Sequence, residues 1–217
     1  MYNMCMIKLL TKLPREVTVC CSGGPDSMAA LHFLMSGRRN PRVLHFDHGT
    51  ASSKKSRVLV EGFCIKNNIP FKVHKISGQP ESGESLEAWW RSKRYEVMNT
   101  VEGDVVTGHN LNDVAEWWIF TALRGNPRLM PYKTGNVIKP FILCKKIDLE
   151  DWCRRHKIPY IVDPTNLGTR FARSRIRNNI MPEALEINPG LLKTMSRKIR
   201  EREELEEQAH HPILKII

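Results

Sequence analysis

Residues 22–27 read Ser-Gly-Gly-Pro-Asp-Ser and lie between an apolar run, Val17–Cys21, and helical sequence from Met28. A strand that ends in two glycines and reopens as a helix collects backbone N–H groups at a helix N-terminus. Those orphan donors and the helix dipole both favour phosphate. Gly23 and Gly24 permit a tight turn and a close backbone approach, and Ser22 and Ser27 add hydroxyl donors. Asp26 is the odd member, because a carboxylate beside phosphates repels them unless a divalent cation bridges the two. The segment therefore predicts a Mg2+-nucleotide site with Asp26 on the metal. No Gly-Lys-Ser/Thr follows, which excludes a Walker-type loop.

Four further groups carry candidate chemistry. Asp113 and Glu116 are three apart in Gly108-His109-Asn110-Leu111-Asn112-Asp113-Val114-Ala115-Glu116, so a helix sets both on one face. Such a pair could hold Mg2+, or bind and deprotonate an ammonium group; the alternative is a helix start capped by Asn112 or Asp113. His45-Phe46-Asp47-His48-Gly49 could contact the nucleotide through Asp47 and His48, or organise its own loop. Arg91 and Arg94 stand beside Trp89 and Trp90, where Arg91 could neutralise phosphate while the tryptophans serve the core. Arg173 and Arg177 are four apart in Arg170-Phe171-Ala172-Arg173-Ser174-Arg175-Ile176-Arg177, which predicts a basic face able to meet RNA phosphates.

These residues need a scaffold, and the hydrophobic pattern predicts one. Val17–Cys21, Arg42–Asp47, Phe71–Ile76, Asp104–Thr107 and Tyr160–Val162 read as strands. Met28–Ser36, Ser52–Asn67, Leu86–Asn99, Asp113–Leu123 and Leu149–His156 read as helices, with Gly37 at a C-terminus and Asp148 as an N-cap. Alternation of this kind predicts an α/β fold, a parallel sheet with helices on both faces, with ligands beyond the carboxyl ends of the strands. A turn-rich stretch, 163–169, precedes the basic helix, and a densely charged helix over Leu191–Ala209 ends the pattern. The expected division is a catalytic domain over 1–185 and a helical extension over 186–217.

The chain has 217 residues, enough for one α/β core and a small appendage. Its formal net charge of +11 exceeds what a nucleotide alone would call for and points to a nucleic-acid partner. Six cysteines include no C-x-x-C pair, which argues against an iron–sulfur or zinc site and for a reducing cytosol. No apolar run reaches the length of a membrane span, and Met1–Lys12 lacks a signal-peptide cleavage site, so the expected localisation is cytoplasmic.

The loop resembles the PP-loop of the N-type ATP pyrophosphatases, and the ordered set of motifs resembles the tRNA(Ile)-lysidine synthetase family. That set comprises Ser22–Ser27, Asp47-His48-Gly49, Leu86-Glu87-Ala88 with Arg91 and Tyr95, Gly108-His109 with Asp113 and Glu116, Leu123-Arg124-Gly125, Lys139-Pro140, Asp163-Pro164-Thr165-Asn166, and Arg173 through Pro182. The resemblance implies a Rossmann-like PP-loop fold that binds ATP with Mg2+ and adenylates the wobble cytidine of an isoleucine tRNA with a CAU anticodon. Free L-lysine then displaces AMP to form lysidine. It further implies ATP contacts from Ser22, Gly23, Gly24, Asp26, Ser27, Asp47, His48, Gly108 and His109, and catalytic roles for Asp26, Arg91, Asp113 and Glu116. Arg173, Arg175 and Arg177 would lie near the RNA and the intermediate.

The sequence departs from the family in two places. Asn110 and Asn112 stand where a second His and a first Asp are usual, which would weaken a metal contact. Bacterial relatives usually continue into C-terminal tRNA-gripping domains, so a short-form enzyme is expected, its oligomeric state left open with a homodimer as the named alternative. The alternatives are another PP-loop tRNA-modifying enzyme of the cytidine thiolase kind, and a non-catalytic remnant that binds ATP and tRNA.

Overall fold

The computed structural model describes residues 7–162 and 172–210. Strand β1 (Glu16–Cys20) sends Val17 and Val19 to one face, then turns through the Ser22–Gly24 loop into helix α1 (Pro25–Ser36). Pro25 at the start of α1 presets the helical φ where its missing N–H costs no bond. Strand β2 (Asn40–Asp47), helix α2 (Ala51–Lys66) and strand β3 (Phe71–Lys75) follow, then helix α3 (Leu86–Met98) and strand β4 (Val105–Thr107). Helix α4 (Leu111–Ala122) leads to a tight hairpin, β5 (Lys133–Thr134) and β6 (Val137–Ile138), and to helix α5 (Lys146–Arg155). Helix α6 (Ala172–Arg175) runs into a π-helical turn over Ile176–Ile180, then into α7 (Met181–Ile187); α8 (Leu191–His210) ends the described chain.

The sheet has the order β3-β2-β1-β4-β6-β5, parallel except for β5, which pairs antiparallel with β6. One face packs Val19, Val43, Val106 and Ile138 against Met28 and Leu31 of α1, Val60 of α2 and Leu149 of α5. The other packs Leu44, Phe46, Val105 and Val137 against Trp89 and Met98 of α3. This two-sided cover is the expected α/β architecture. A third cluster joins Leu111 and Val114 of α4 to Ile176, to Met181 of α7, and to Met195 and Ile199 of α8.

Four expectations change. Tyr160–Val162 is not a strand: Tyr160 and Val162 are exposed, and the Ile161 N–H donates to the Gly23 carbonyl at 2.8 Å, so the segment crosses the phosphate loop. The fifth parallel strand is instead β6, beside β4. The α4 cap is Asn110, whose side chain accepts from the Asn112 and Asp113 N–H groups while Asp113 Oδ2 accepts from the Asn110 N–H. Asp148 sits a turn inside α5 and accepts from the Lys145 N–H, so Lys145 is the cap residue. The Asp163–Asn166 motif lies outside the described residues, as do Arg170 and Phe171.

Candidate active site

The loop after β1 is held from inside. Ser27 Oγ accepts from the Ser22 N–H at 3.2 Å and donates to the Gly24 carbonyl at 3.0 Å. Gly23 adopts φ +84°, open to glycine, and a Cβ there would also crowd Ser56 and Val60. Gly24 has an ordinary φ of −77° and only distant neighbours, so its freedom is not what the turn requires. Gly108 is different: a Cβ on it would lie 2.9 Å from the carbonyl carbon and oxygen of Asp26 and 3.0 Å from Ser27 N. Glycine there lets the end of β4 lie against the first turn of α1. That contact brings the β4–α4 loop to the phosphate loop.

Asp26 occupies the seam. Its Oδ1 is buried without a hydrogen-bond partner among the described residues. Burial, then the Asp113 carboxylate, push its carboxyl up to about 7, against the opposing pull of Lys146 and Arg177. A lone carboxylate oxygen in such a place is relieved by a cation. Mg2+ typically takes one or two carboxylates together with substrate phosphates. A single buried, unpartnered carboxylate oxygen in the phosphate loop fits that mode.

Across the seam, Arg177 joins the predicted carboxylate pair. Its Nε donates to Glu116 Oε1 at 2.8 Å and its Nη2 to Glu116 Oε2 at 2.7 Å, while Nη2 also reaches Asp113 Oδ1 at 3.1 Å. Glu116 is only 3% exposed. Burial raises its pKa, and the fork from Arg177 opposes that rise and is itself held charged. Arg173 adds positive potential at Glu116, and its Nε is buried without a partner among the described residues. Arg175 points into solvent, as the helical spacing requires of a residue two from each of them. The π turn that carries Arg177 is the kind of helical irregularity found at functional sites.

His109 shares a 2.8 Å hydrogen bond with Thr107 Oγ1 and is held neutral near pKa 4, chiefly by burial, with Arg173, Lys139 and Arg91 adding to the shift. Asn112 Oδ1 accepts from the Lys146 N–H, tying the start of α4 to the start of α5. The side chain at the departure from the family pattern is therefore used structurally. Asp47 turns inward: its Oδ1 accepts from Ser53 Oγ at 2.6 Å and from the Gly49 N–H at 2.8 Å, which fixes the β2–α2 loop and keeps its carboxyl below the usual range. His48 stacks on Trp90, its Nδ1 buried without a partner among the described residues, and burial holds its pKa near 4.

The structure thus brings Asp26, His109, Asp113, Glu116, Arg173 and Arg177 into one electrostatic neighbourhood, with Arg91 acting on His109 from α3. One member stood in the Lys139-Pro140 motif with no site role assigned to it from the sequence. Lys139, 1% exposed, donates to Thr134 Oγ1 and is pushed down to about 8 by burial and by Arg91 and Arg202. The signal for it was available, since Thr134-Gly135-Asn136-Val137 is a two-residue Gly-Asn hairpin that places Lys139 just past a strand end. A separate cleft of about 650 Å3, lined by Thr18, Arg42, Leu44, Lys72 and Val97, contains none of the predicted site residues.

The five described cysteines form no disulfide. No helix among the described residues is long and apolar enough to cross a membrane.

The model of the PP-loop domain family matches residues 3–184. A tRNA(Ile)-lysidine synthase of Francisella philomiragia is 30% identical over 207 residues, covering 89% of this chain and 52% of that protein. The one from Thermotoga maritima is 30% identical over 191 residues, covering 80% and 46%. The chain spans about half the length of these curated relatives. Among solved structures, the U34-tRNA thiolase NcsA from Methanococcus maripaludis, with its [4Fe-4S] cluster, superposes with a TM-score of 0.70 at 16% identity, covering 89% of this chain and 74% of that one. The NMN synthetase from Francisella tularensis gives 0.52 at 10% identity, covering 85% and 84%. At these identities the likeness is one of fold.

Proposed function

The chain belongs to the PP-loop domain family, and from that premise we propose that it is an ATP-dependent ligase that adenylates an RNA cytidine and joins free lysine to it. The observation that carries this reading is an Asp26 carboxylate whose buried Oδ1 has no partner among the described residues, held beside the Gly108 contact within electrostatic reach of Asp113. Phosphate chemistry and amine chemistry then share one seam. The similarity to tRNA(Ile)-lysidine synthases supports the choice of lysine and of a CAU-anticodon isoleucine tRNA.

In this reading the Ser22–Ser27 loop holds the phosphates of ATP, and Asp26 would hold Mg2+, which would supply neutralisation of the charge on the leaving pyrophosphate. Arg91 and Arg173 stabilise negative charge that builds as the cytidine oxygen attacks the α-phosphorus. Neutral His109 is positioned to exchange hydrogen bonds without adding charge. Asp113 and Glu116 hold the ε-ammonium of lysine and take its proton before attack on the adenylated base. Arg175, exposed, contacts RNA phosphate from outside the seam. The setting is cytoplasmic. A thiolase reading is less favoured, because the cysteines Cys21, Cys64, Cys144 and Cys153 are buried core side chains and no C-x-x-C pair is present.

The test incubates the protein with tRNA, labelled lysine and ATP. Lysine incorporation with stoichiometric pyrophosphate release is the expected result, and Asp26→Ala should abolish both. Pyrophosphate release at the wild-type rate in that variant would overturn the site; ATP binding with no release by the wild type would overturn the enzyme reading.

A further inference from the structure

A line of alternating cations and rings starts beside the seam and runs outward along α4. The Arg91 guanidinium lies 4.7 Å from the centre of the Tyr95 ring and 5.9 Å from that of Trp117. Trp117 and Phe120 are 5.8 Å apart at an interplanar angle of 31°. Arg124 caps the row, 4.4 Å over the Phe120 ring. Trp117 and Phe120 are half-buried, with one side on the α4–α8 core, whereas residues 123–128, Leu-Arg-Gly-Asn-Pro-Arg, are all exposed. Leu123 is 70% exposed.

The charges on this row differ from those on α8. On α8, Arg197 pairs with Glu201, and Arg202 with Glu203 and Glu206, as expected of a solvated helix. No carboxylate pairs with Arg91 or Arg124 among the described residues. Unpaired arginines interleaved with flat rings match a ligand that offers both phosphates and π faces. Single-stranded nucleic acid does so at every residue, and base–ring stacking tolerates any sequence. An acidic peptide would satisfy the arginines and leave the rings without partners. The spacing also fixes the mode: rings 5.8 Å apart leave no slot for an inserted base, so a base that stacks on Phe120 takes the place of the Arg124 guanidinium, which is released to its phosphate.

We propose that Tyr95, Arg91, Trp117, Phe120 and Arg124 form a track for single-stranded RNA, on which the nucleotides flanking the target base lie while that base enters the seam. This rests on the adenylation reading for its target and on the row itself for its surface.

The track is tested by fluorescence anisotropy with a short labelled single-stranded RNA carrying one central cytidine, on the full chain and over a salt series. Phe120→Leu keeps most of the apolar volume on the α4–α8 core, and Arg124→Ala alters an exposed side chain, so both variants should remain folded, with thermal melts close to the wild type. Phe120→Leu should weaken binding by roughly 5- to 100-fold, the loss of one base stack, with an unchanged salt slope. Arg124→Ala should lower that slope by about 0.7, the value of one phosphate contact on a single strand. Wild-type affinity in both variants would overturn the track. RNA binding without lysine incorporation by the wild type would overturn the ligase reading and leave the track standing.

Discussion

Gly108→Ala tests the contact on which the site depends. The added Cβ would meet Asp26 C and O at 2.9 Å and Ser27 N at 3.0 Å. Ordinary carbon contacts sit at about 3.5–4.0 Å, so several tenths of an ångström must be found. The opposing atoms are backbone in the first turn of α1, with no rotamer to yield, and Gly108 is itself fixed between β4 and the Asn110 cap. Overpacking of this kind costs about 1–3 kcal/mol. For a chain of this size that lowers Tm by roughly 5 °C. The same displacement parts the phosphate loop from the carboxylate pair, and since a 1 Å misplacement costs about 100-fold in rate, a shift of a few tenths should slow pyrophosphate release about tenfold. Gly24→Ala is the control, because its nearest atoms lie at 3.6 and 4.0 Å and its φ is ordinary, so its melt should stay within about 1 kcal/mol of the wild type. Melts and pyrophosphate assays on both variants decide the matter. Wild-type melting and rate in Gly108→Ala would refute the reasoning, as would equal destabilisation by the two substitutions.

Glu116→Gln removes one charged acceptor of the Arg177 fork and leaves Asp113 to hold it. Lysine incorporation should fall by about tenfold or more, the worth of a hydrogen bond to a charged group, while pyrophosphate release stays within a few-fold; a parallel fall in both would remove the amine assignment. Lys139→Met should change the pH dependence of stability. The folded state holds this ammonium near pKa 8 against a model value of 10.5, so between those values the unfolded chain binds the extra proton and wild-type stability rises with pH. The variant should therefore be the more stable at pH 7 and lose that advantage toward pH 10. Parallel denaturation curves at the two pH values would contradict the buried-charge account.

The α/β alternation was legible because long strands and helices carry their own hydrophobic period, and the helical spacing of Arg173 and Arg177 foretold a shared face. Three features were not legible, each for a physical reason. Strand β6 has two residues, too few for any period, and only its Gly-Asn turn announces it. Tyr160–Val162 has the composition of a buried strand but runs exposed across the loop, because its backbone bond goes to Gly23 rather than to a sheet neighbour. The acids that hold Arg177 lie 61 and 64 residues earlier in the chain, a separation that no local pattern encodes. Gly108 belongs with these: its type was noticed as part of a motif, but its reason is the backbone of another element.

The Arg177 fork also bears on whether the seam can accept an amine at all. Two carboxylates against one guanidinium leave the Asp113–Glu116–Arg177 group with one negative formal charge. Its acceptor capacity is likewise incomplete, since each carboxylate oxygen has two lone pairs and the Glu116 oxygens accept one bond each from Arg177. One ammonium would balance the charge and complete the bonds without expelling the arginine. A second arginine in its place could not do so with the same economy of space, because its planar fork needs the two-oxygen edge that Arg177 already occupies. In the proposed reading it is a compact point charge that this group would take, the form in which free lysine presents its ε-amine.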